Sequence, residues 1–487
     1  MRFEFQSLWI SLLFLVLSFP SSLLSEEKTT ASEAGPVNYD ASLRTRYELI
    51  DWFDAGVQGV DNRYNFPTLK GQLGLGCTLN WVKLYIQGEY DQAFDLPKDA
   101  DNGPGALYRN FNGGDRDPGS VYVRQGYAQF PDISESGVTF LAGRSLYGSG
   151  AEVKSASKTL DWLKTKRIAD RLIGPFEYTF GRSFDGVRLD YANSEFGTFT
   201  AHASHPTQGG FVTDGLKTIT AISLVTAALT HPYTLSEGSL GEAQLFYYFY
   251  DDERGTIKTD NRASDIRAAD SEDISINNFG AHWMHAYKVG TGTWDGLLWG
   301  VLQEGDWGAQ DHGAGAMAAE FGYRFDEIYG KPWLRLGYNW SSGDDDALDG
   351  DHSTFFQMLP TARAYAMTPF YNLMNLQDFL IQGVWQPDEK VTFRSDIHFP
   401  QATQDEDLLY SGAGANSRSG PFGFAGVGSQ GKHAIGTLLD FNLWIALHKN
   451  AALYIYYGHL LGGDLSEAAF AENDEIDYGF IELTLKL

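Results

Sequence analysis

The feature that most limits what this chain can fold into is a two-residue alternation of apolar and ionic side chains, repeated in stretch after stretch of its length. "VTFRSDIHF" is typical. Val391, Phe393, Ser395, Ile397 and Phe399 share one side of an extended strand, while Thr392, Arg394, Asp396 and His398 share the other. Period two does not say which face is inside, so a soluble sandwich and a membrane barrel both fit it. The connections separate them. Long connections are expected at 53–67, 91–119, 145–183, 204–217, 251–277, 305–313, 341–377, 400–433 and 461–476. Between them fall mostly shorter ones, at 79–81, 131–136, 192–196, 231–241, 288–295, 326–332, 387–390 and 448–450. This rhythm predicts an all-β fold, a transmembrane antiparallel β-barrel of about eighteen strands with short periplasmic turns and long extracellular loops. A Greek-key sandwich would not sort its connections by end. A barrel of this size leaves an aqueous channel.

The N-terminal segment supports export. Arg2 precedes an apolar run from Leu8 to Phe19 and small polar residues through Ser25. That is the form of a signal peptide over 1–25, and the run is shorter than the roughly 20 residues a membrane helix needs. Residues 26–38 are expected to be a flexible periplasmic leader and 39–487 the barrel. Cys77 is the single cysteine, which excludes a disulfide framework and a zinc quartet. A formal charge of -27 argues against a nucleic-acid partner, which would need a concentrated basic face. The 54 Gly, 26 Tyr, 32 Phe and 12 Trp suit an aromatic-rimmed barrel, but a secreted carbohydrate-binding or hydrolytic β-protein shares that composition and stays open.

If the barrel reading holds, a charged side chain facing lipid at the midplane costs about 2–4 kcal/mol, so the ionic rows must line the lumen. Strand by strand this assigns Arg44, Arg46, Glu48, Lys83, Glu89, Arg188, Asp190, Glu320, Arg324, Arg335, Asn339, Arg394 and Asp396 to the interior. Arg124 and Arg144 fit less well, because the parity that turns them inward also turns in Tyr122, Val138 or Phe140. A bulge or a rim position would resolve this. Two roles stand open for the arginines. They could pair with lumenal carboxylates as in any hydrated porin wall, or present planar forks to a passing polyanion.

Within 145–183 the stretch "KTLDWLKTKRIADRLIG" is the most basic of an acidic chain. Leu160, Leu163, Ile168 and Leu172 could form one stripe of a short helix, which would leave Lys164, Lys166, Arg167 and Arg171 exposed, either drawing anions at the mouth or bridging lipopolysaccharide phosphates outside. The loop from Asp251 reads as a solvated extracellular one. "GDDDALDGD" clusters Asp344, Asp345, Asp346, Asp349 and Asp351, a weak candidate for a hard cation that lacks the ligand spacing of a calcium hand. His285 shares outward parity with Trp283 and has no serine motif beside it, so neither an enzyme nor a cofactor is expected.

"FGRSFDGVRLDY", "WLRLGYNWSSGDDDALDGDHSTFFQMLPTARAYAMTPFYNLMNLQDF" and "IGTLLDFNLWIALHKNAALYIYYGHLLGGD" together resemble the alginate export porin family. The resemblance implies an eighteen-stranded outer-membrane barrel with an arginine-rich constriction that passes anionic uronate polysaccharide passively. It carries Arg182, Asp185, Arg188, Arg335 and Arg363 over as path residues. The chain departs from the family at "AMTPFYN" after "PTARAY", and in ending on Leu487 where a terminal aromatic is usual. The expected partners are anionic polysaccharide or small anions, outer-membrane lipid and lipopolysaccharide, with periplasmic export partners left open. An unselective porin is the alternative within transport.

Overall fold

The computed structural model describes residues 37–79, 81–155, 157–176, 178–361 and 367–487. The expected signal peptide, nearly all of the expected leader, and Arg363 lie outside the described residues. The compact unit runs from Tyr39 to Leu487.

In chain order the strands are β1 (Val37–Asp51), β2 (Arg63–Leu79), β3 (Val82–Ala93), β4 (Gly119–Phe130), β5 (Val138–Ser145), β6 (Phe184–Asn193) and β7 (Gly197–Pro206). There follow β8 (Ile222–Tyr233), β9 (Ser239–Asp252), β10 (Ile274–Val289), β11 (Gly292–Trp307), β12 (Gln310–Phe325), β13 (Trp333–Ser341) and the two-residue β14 (Asp351–His352). The remainder are β15 (Leu376–Asp388), β16 (Val391–Ala402), β17 (Leu408–Gly412), β18 (Phe424–Gly428), β19 (Gly436–His448), β20 (Ala451–Gly462) and β21 (Ile476–Lys486). Leaving out β14, a short parallel rung on β12, and the separate β17–β18 hairpin, eighteen strands pair next to next and close where β1 meets β21. The result is an antiparallel barrel with no free edge, the form a sheet must take in lipid, where no water satisfies an open backbone.

Alternation sets the sidedness. On β11 to β13, Leu298, Leu302, Phe321 and Leu334 are 53%, 70%, 52% and 57% exposed on the outer face. Their neighbours Gln303, Glu320 and Arg335 are buried within. Near the short turn at 290–291, Trp294 packs between Phe321 and Tyr323, an aromatic belt of the kind found at a membrane interface. One connection differs from expectation. The segment 305–313 is not a long loop: β11 and β12 pair as far as Trp307 and Gln310, and only Gly308 and Ala309 turn between them. Gly308 takes a φ of 61°, which supplies the left-handed turn residue that a two-residue hairpin needs.

The lumen is also less open than an eighteen-stranded wall allows. Inward-facing Tyr248, Tyr250, Met284, Leu297, Trp299 and Val301 join Leu160, Leu163, Ile168, Leu172, Phe355, Phe356, Leu359, Phe422 and Phe424 from the connecting segments in one apolar cluster. The long loops therefore fold back into the bore and fill much of it. The 253–273 segment, expected to be solvated, is partly drawn in as well: Arg254, Asp260 and Arg262 are buried, and Trp307 Nε1 donates to Asp260 at 2.9 Å.

Candidate functional site in the lumen

The basic stretch forms the inner face of this plug. Ser157 caps a short helix, Lys158–Leu163, by accepting from the Leu160 amide at 3.1 Å, and a wider turn, Lys164–Ile168, continues it. The apolar stripe is buried as expected, but three of the four cations are buried too. Lys164 pairs with Glu242 of β9 and donates to the Val153 carbonyl at 2.6 Å. Arg167 Nε lies 2.8 Å from Glu320, and Arg171 stands 3.7 Å from Glu320 while donating to Asn339 at 3.0 Å. From the wall, Arg335 reaches Glu320 at 2.9 Å and also pairs with Asp295. Three guanidinia thus share one carboxylate, and the loop bridges to its own barrel, not to lipopolysaccharide. Lys166 alone of the four points into solvent.

Other arginines assigned to the lumen lie on the inward rows and have partners. Arg46 Nε donates to Glu482 at 2.8 Å, with Arg44 3.8 Å from the same carboxylate. Arg188 sits 2.9 Å from Asp190 and donates to the Glu152 carbonyl at 2.8 Å. Arg324 pairs with Asp326 at 2.6 Å near a periplasmic turn, and Arg394 Nε donates to Asp396 at 2.7 Å. Lys83 is exposed at the periplasmic end of its row. The two poor fits separate. Arg124 is the extra residue of a bulge, since Gln125 pairs with Gln87 while Val123 pairs with Gly88; it lies 3.7 Å from Glu89. The Tyr122 hydroxyl, 2.6 Å from Glu89, shows why this tyrosine can face inward. Arg144 and Asp185 do not face the lumen. They pair at 2.7 Å on the register line that runs through Ala142–Val187 and Phe140–Leu189, whose Val187 and Leu189 are exposed. At this outer rim the 207–221 loop covers them, with Arg144 donating to the Leu216 carbonyl and Thr218 to Asp185. Arg182, in the loop ahead of β6, is fully buried, donates to the Ala413 carbonyl at 2.7 Å, and has no carboxylate partner among the described residues. Burial pushes its pKa down.

At the periplasmic end the bore widens into a cavity of about 730 Å³. Arg44, Arg46, Lys166, Arg394, Lys449 and Lys486 line it, together with Trp162, Trp444 and Tyr454, and among the described residues the one acid in the lining is Glu482. Lys166, Lys449 and Lys486 are exposed and have no ion-pair partner among the described residues. Lys166 is open to the water of the vestibule, but the protein enclosing that vestibule shields it from bulk solvent; this desolvation first, and the Arg394 guanidinium second, lower its pKa from the usual range. Lys449 and Lys486 were not singled out from sequence. The usable signal was that Lys486 shares a strand face with Glu482 and Thr484.

The aspartate run does not converge on a cation. Asp344 is buried, whereas Asp345, Asp346, Asp349 and Asp351 are exposed. Asp344, Asp346 and Asp349 each accept the amide two residues on, which is Asx-turn geometry. His285 does meet a serine, Ser239 Oγ, at 3.1 Å, but Tyr233 occupies its other nitrogen at 3.2 Å where a catalytic set would place a carboxylate or amide.

The geometry agrees with what the chain is similar to. The family model described as "Alginate export" matches residues 165–475. Among solved structures, OccK11 (OpdR) of Pseudomonas aeruginosa superposes with a TM-score of 0.53 at 11% identity, covering 93% of this chain and 96% of that one. OccAB4 of Acinetobacter baumannii gives 0.55 at 10% identity, covering 93% and 98%. Pseudomonas aeruginosa OpdK, solved with vanillate, gives 0.55 at 11% identity, again covering 93% and 98%. At such identities these likenesses speak to the fold alone. No curated protein matches. A closed eighteen-stranded barrel with a lipid-facing apolar band and a family match over most of its length is a channel of the bacterial outer membrane, and the chain belongs to the alginate export family.

Proposed function

We propose that this channel passes anionic saccharides of the uronate class, and that the periplasmic vestibule is where they meet it. The observation that carries this reading is the vestibule's charge: among the described residues, six basic side chains against one carboxylate around about 730 Å³, in a protein whose net charge is -27. Cations concentrated in a low-dielectric mouth raise the local concentration of anions and speed their entry. Conduction requires that each contact hold and release its solute. Solvated lysines suit that better than an arginine already closed on a carboxylate. The flat faces of Trp162, Trp444 and Tyr454 add apolar surface for the C–H faces of a sugar ring. Passage further up the bore requires the 157–172 segment to move, and the ion pairs on Glu320 and Glu242 are what hold it in place.

Current block in planar bilayers tests this. Oligouronate added on the periplasmic side is expected to interrupt the current through the native channel at concentrations where a neutral oligosaccharide of equal length does not. Equal block by both, or by neither, would instead mark an unselective porin.

A further inference from the structure

The lumen wall holds a second cluster that the channel reading does not use. β16 and β19 set Asp396 directly opposite Asp440, and His398, two residues along β16, faces the same way. One ligand-capable atom from each of these three lies within 4.8 Å of the others, and all three residues are buried. His398 Nε2, Asp396 Oδ1 and Asp440 Oδ2 are buried atoms without a hydrogen-bond partner among the described residues. Nε2 stands 3.9 Å from the Asp396 carboxylate and 3.9 Å from that of Asp440. The remaining polar atoms are engaged: His398 Nδ1 donates to Asp378 at 2.8 Å, Arg394 holds Asp396 Oδ2, and the Tyr456 hydroxyl donates to Asp440 Oδ1.

We propose that Asp396, His398 and Asp440 form a binding site for one divalent transition-metal ion, with Asp378 fixing the histidine. Bonds of about 2.0–2.2 Å from such an ion to imidazole nitrogen and carboxylate oxygen place neighbouring donors roughly 3–4 Å apart, so the cluster needs only a small contraction to bind. A proton held on Nδ1 by Asp378 leaves the lone pair on Nε2, the carboxylate–histidine–metal arrangement. Among the described residues, three carboxylates and the guanidinium of Arg394 meet in a buried setting, a surplus of negative charge that a dication removes. One nitrogen with oxygen donors suits Zn²⁺, Mn²⁺, Fe²⁺, Co²⁺ or Ni²⁺ better than the all-oxygen shells of Ca²⁺ and Mg²⁺. The competing occupant is a proton on Nε2, but at 3.9 Å neither carboxylate is close enough to accept from it.

The full chain, folded in detergent and stripped with chelator, is titrated with Co²⁺ and followed by its visible absorption and by calorimetry. One Co²⁺ per chain is expected, with bands that disappear in His398→Gln. In Asp378→Asn, which keeps all three donors and serves if His398→Gln does not fold, affinity should fall about 10–100-fold. Heat-modifiable migration identifies folded variants, and Asp344→Asn is the control that binds as the native chain does. Absence of a bound ion in the folded native chain would overturn the site, as would affinity unchanged in both variants. So would ¹⁵N spectra showing both ring nitrogens of His398 still protonated with one equivalent of Zn²⁺ present.

Discussion

On the wall formed by β12 and β13, Arg167, Arg171 and Arg335 close on Glu320, and all four side chains are buried. In the periplasmic vestibule, Lys166, Lys449 and Lys486 face solvent, and no carboxylate of the described residues pairs with them. The two regions are comparably basic but do different work. A buried guanidinium closed on a carboxylate has little field left for a solute; what it holds is the loop. An exposed lysine costs little to desolvate in part, then lets go. Charge count alone would have placed the selective site at the arginines, whereas burial and pairing move it to the lysines.

Removing the shared carboxylate should break this comparison most severely. Glu320→Gln takes from three buried guanidinia the carboxylate they share, with Arg335 keeping its pair to Asp295, and loss of one partner from a buried ion network costs about 3–5 kcal/mol. The expected outcome is release of the 157–172 segment, read as a several-fold rise in single-channel conductance with heat-modifiable migration retained. Unchanged conductance would mean that the network does not restrain the loop.

A second variant sharpens the comparison at the extracellular loops. Burial, with repulsion from Asp407, raises the Asp344 carboxyl to about 6, and burial raises Asp407 too. A carboxyl whose folded pKa lies above its unfolded value binds a proton in the folded state that the unfolded state releases, so stability rises as pH falls through the window between about 6 and the ordinary aspartate range. Proteolytic nicking of the 342–375 and 403–435 loops should therefore be several-fold slower at pH 5 than at pH 7.5. Asp344→Asn should abolish most of that difference by being slow at both. The smallest effect belongs to the outer rim. Arg144→Met should shift stability by about 1 kcal/mol or less, because the Arg144–Asp185 pair is partly exposed, and should leave the reversal potential where it was.

How far the sequence carried can be seen residue by residue. The outward row of Leu298, Leu302, Phe321 and Leu334 is readable because sidedness follows from local alternation, and a lipid-facing charge is costly enough to forbid the other parity. The hairpin at Gly308 and Ala309 was misread as a long loop because Gly, Asp and Trp there resemble loop composition, while the pairing of Asp306 with Asp311 is a property of two strands. Arg144 was assigned inward for its charge although it shares a face with Val138 and Phe140, and the register against β6 settles the conflict by putting it on the outer row of Val187 and Leu189. The apolar stripe of Leu160, Leu163, Ile168 and Leu172 was legible, but not what covers it. Arg167 and Glu320 are 153 residues apart, and nothing in either neighbourhood announces the other. The same limit hid the vestibule, whose lysines come from a loop, a turn and the last strand.

The reversal potential under a KCl gradient tests most directly the claim that solvated lysines, not paired arginines, set selectivity. Lys166→Glu, Lys449→Glu and Lys486→Glu combined in one chain should turn an anion-selective channel toward cations, while Arg188→Gln, which removes a paired guanidinium, should leave the potential within a few millivolts of native. A large shift in the arginine variant with none in the lysine variant would contradict it.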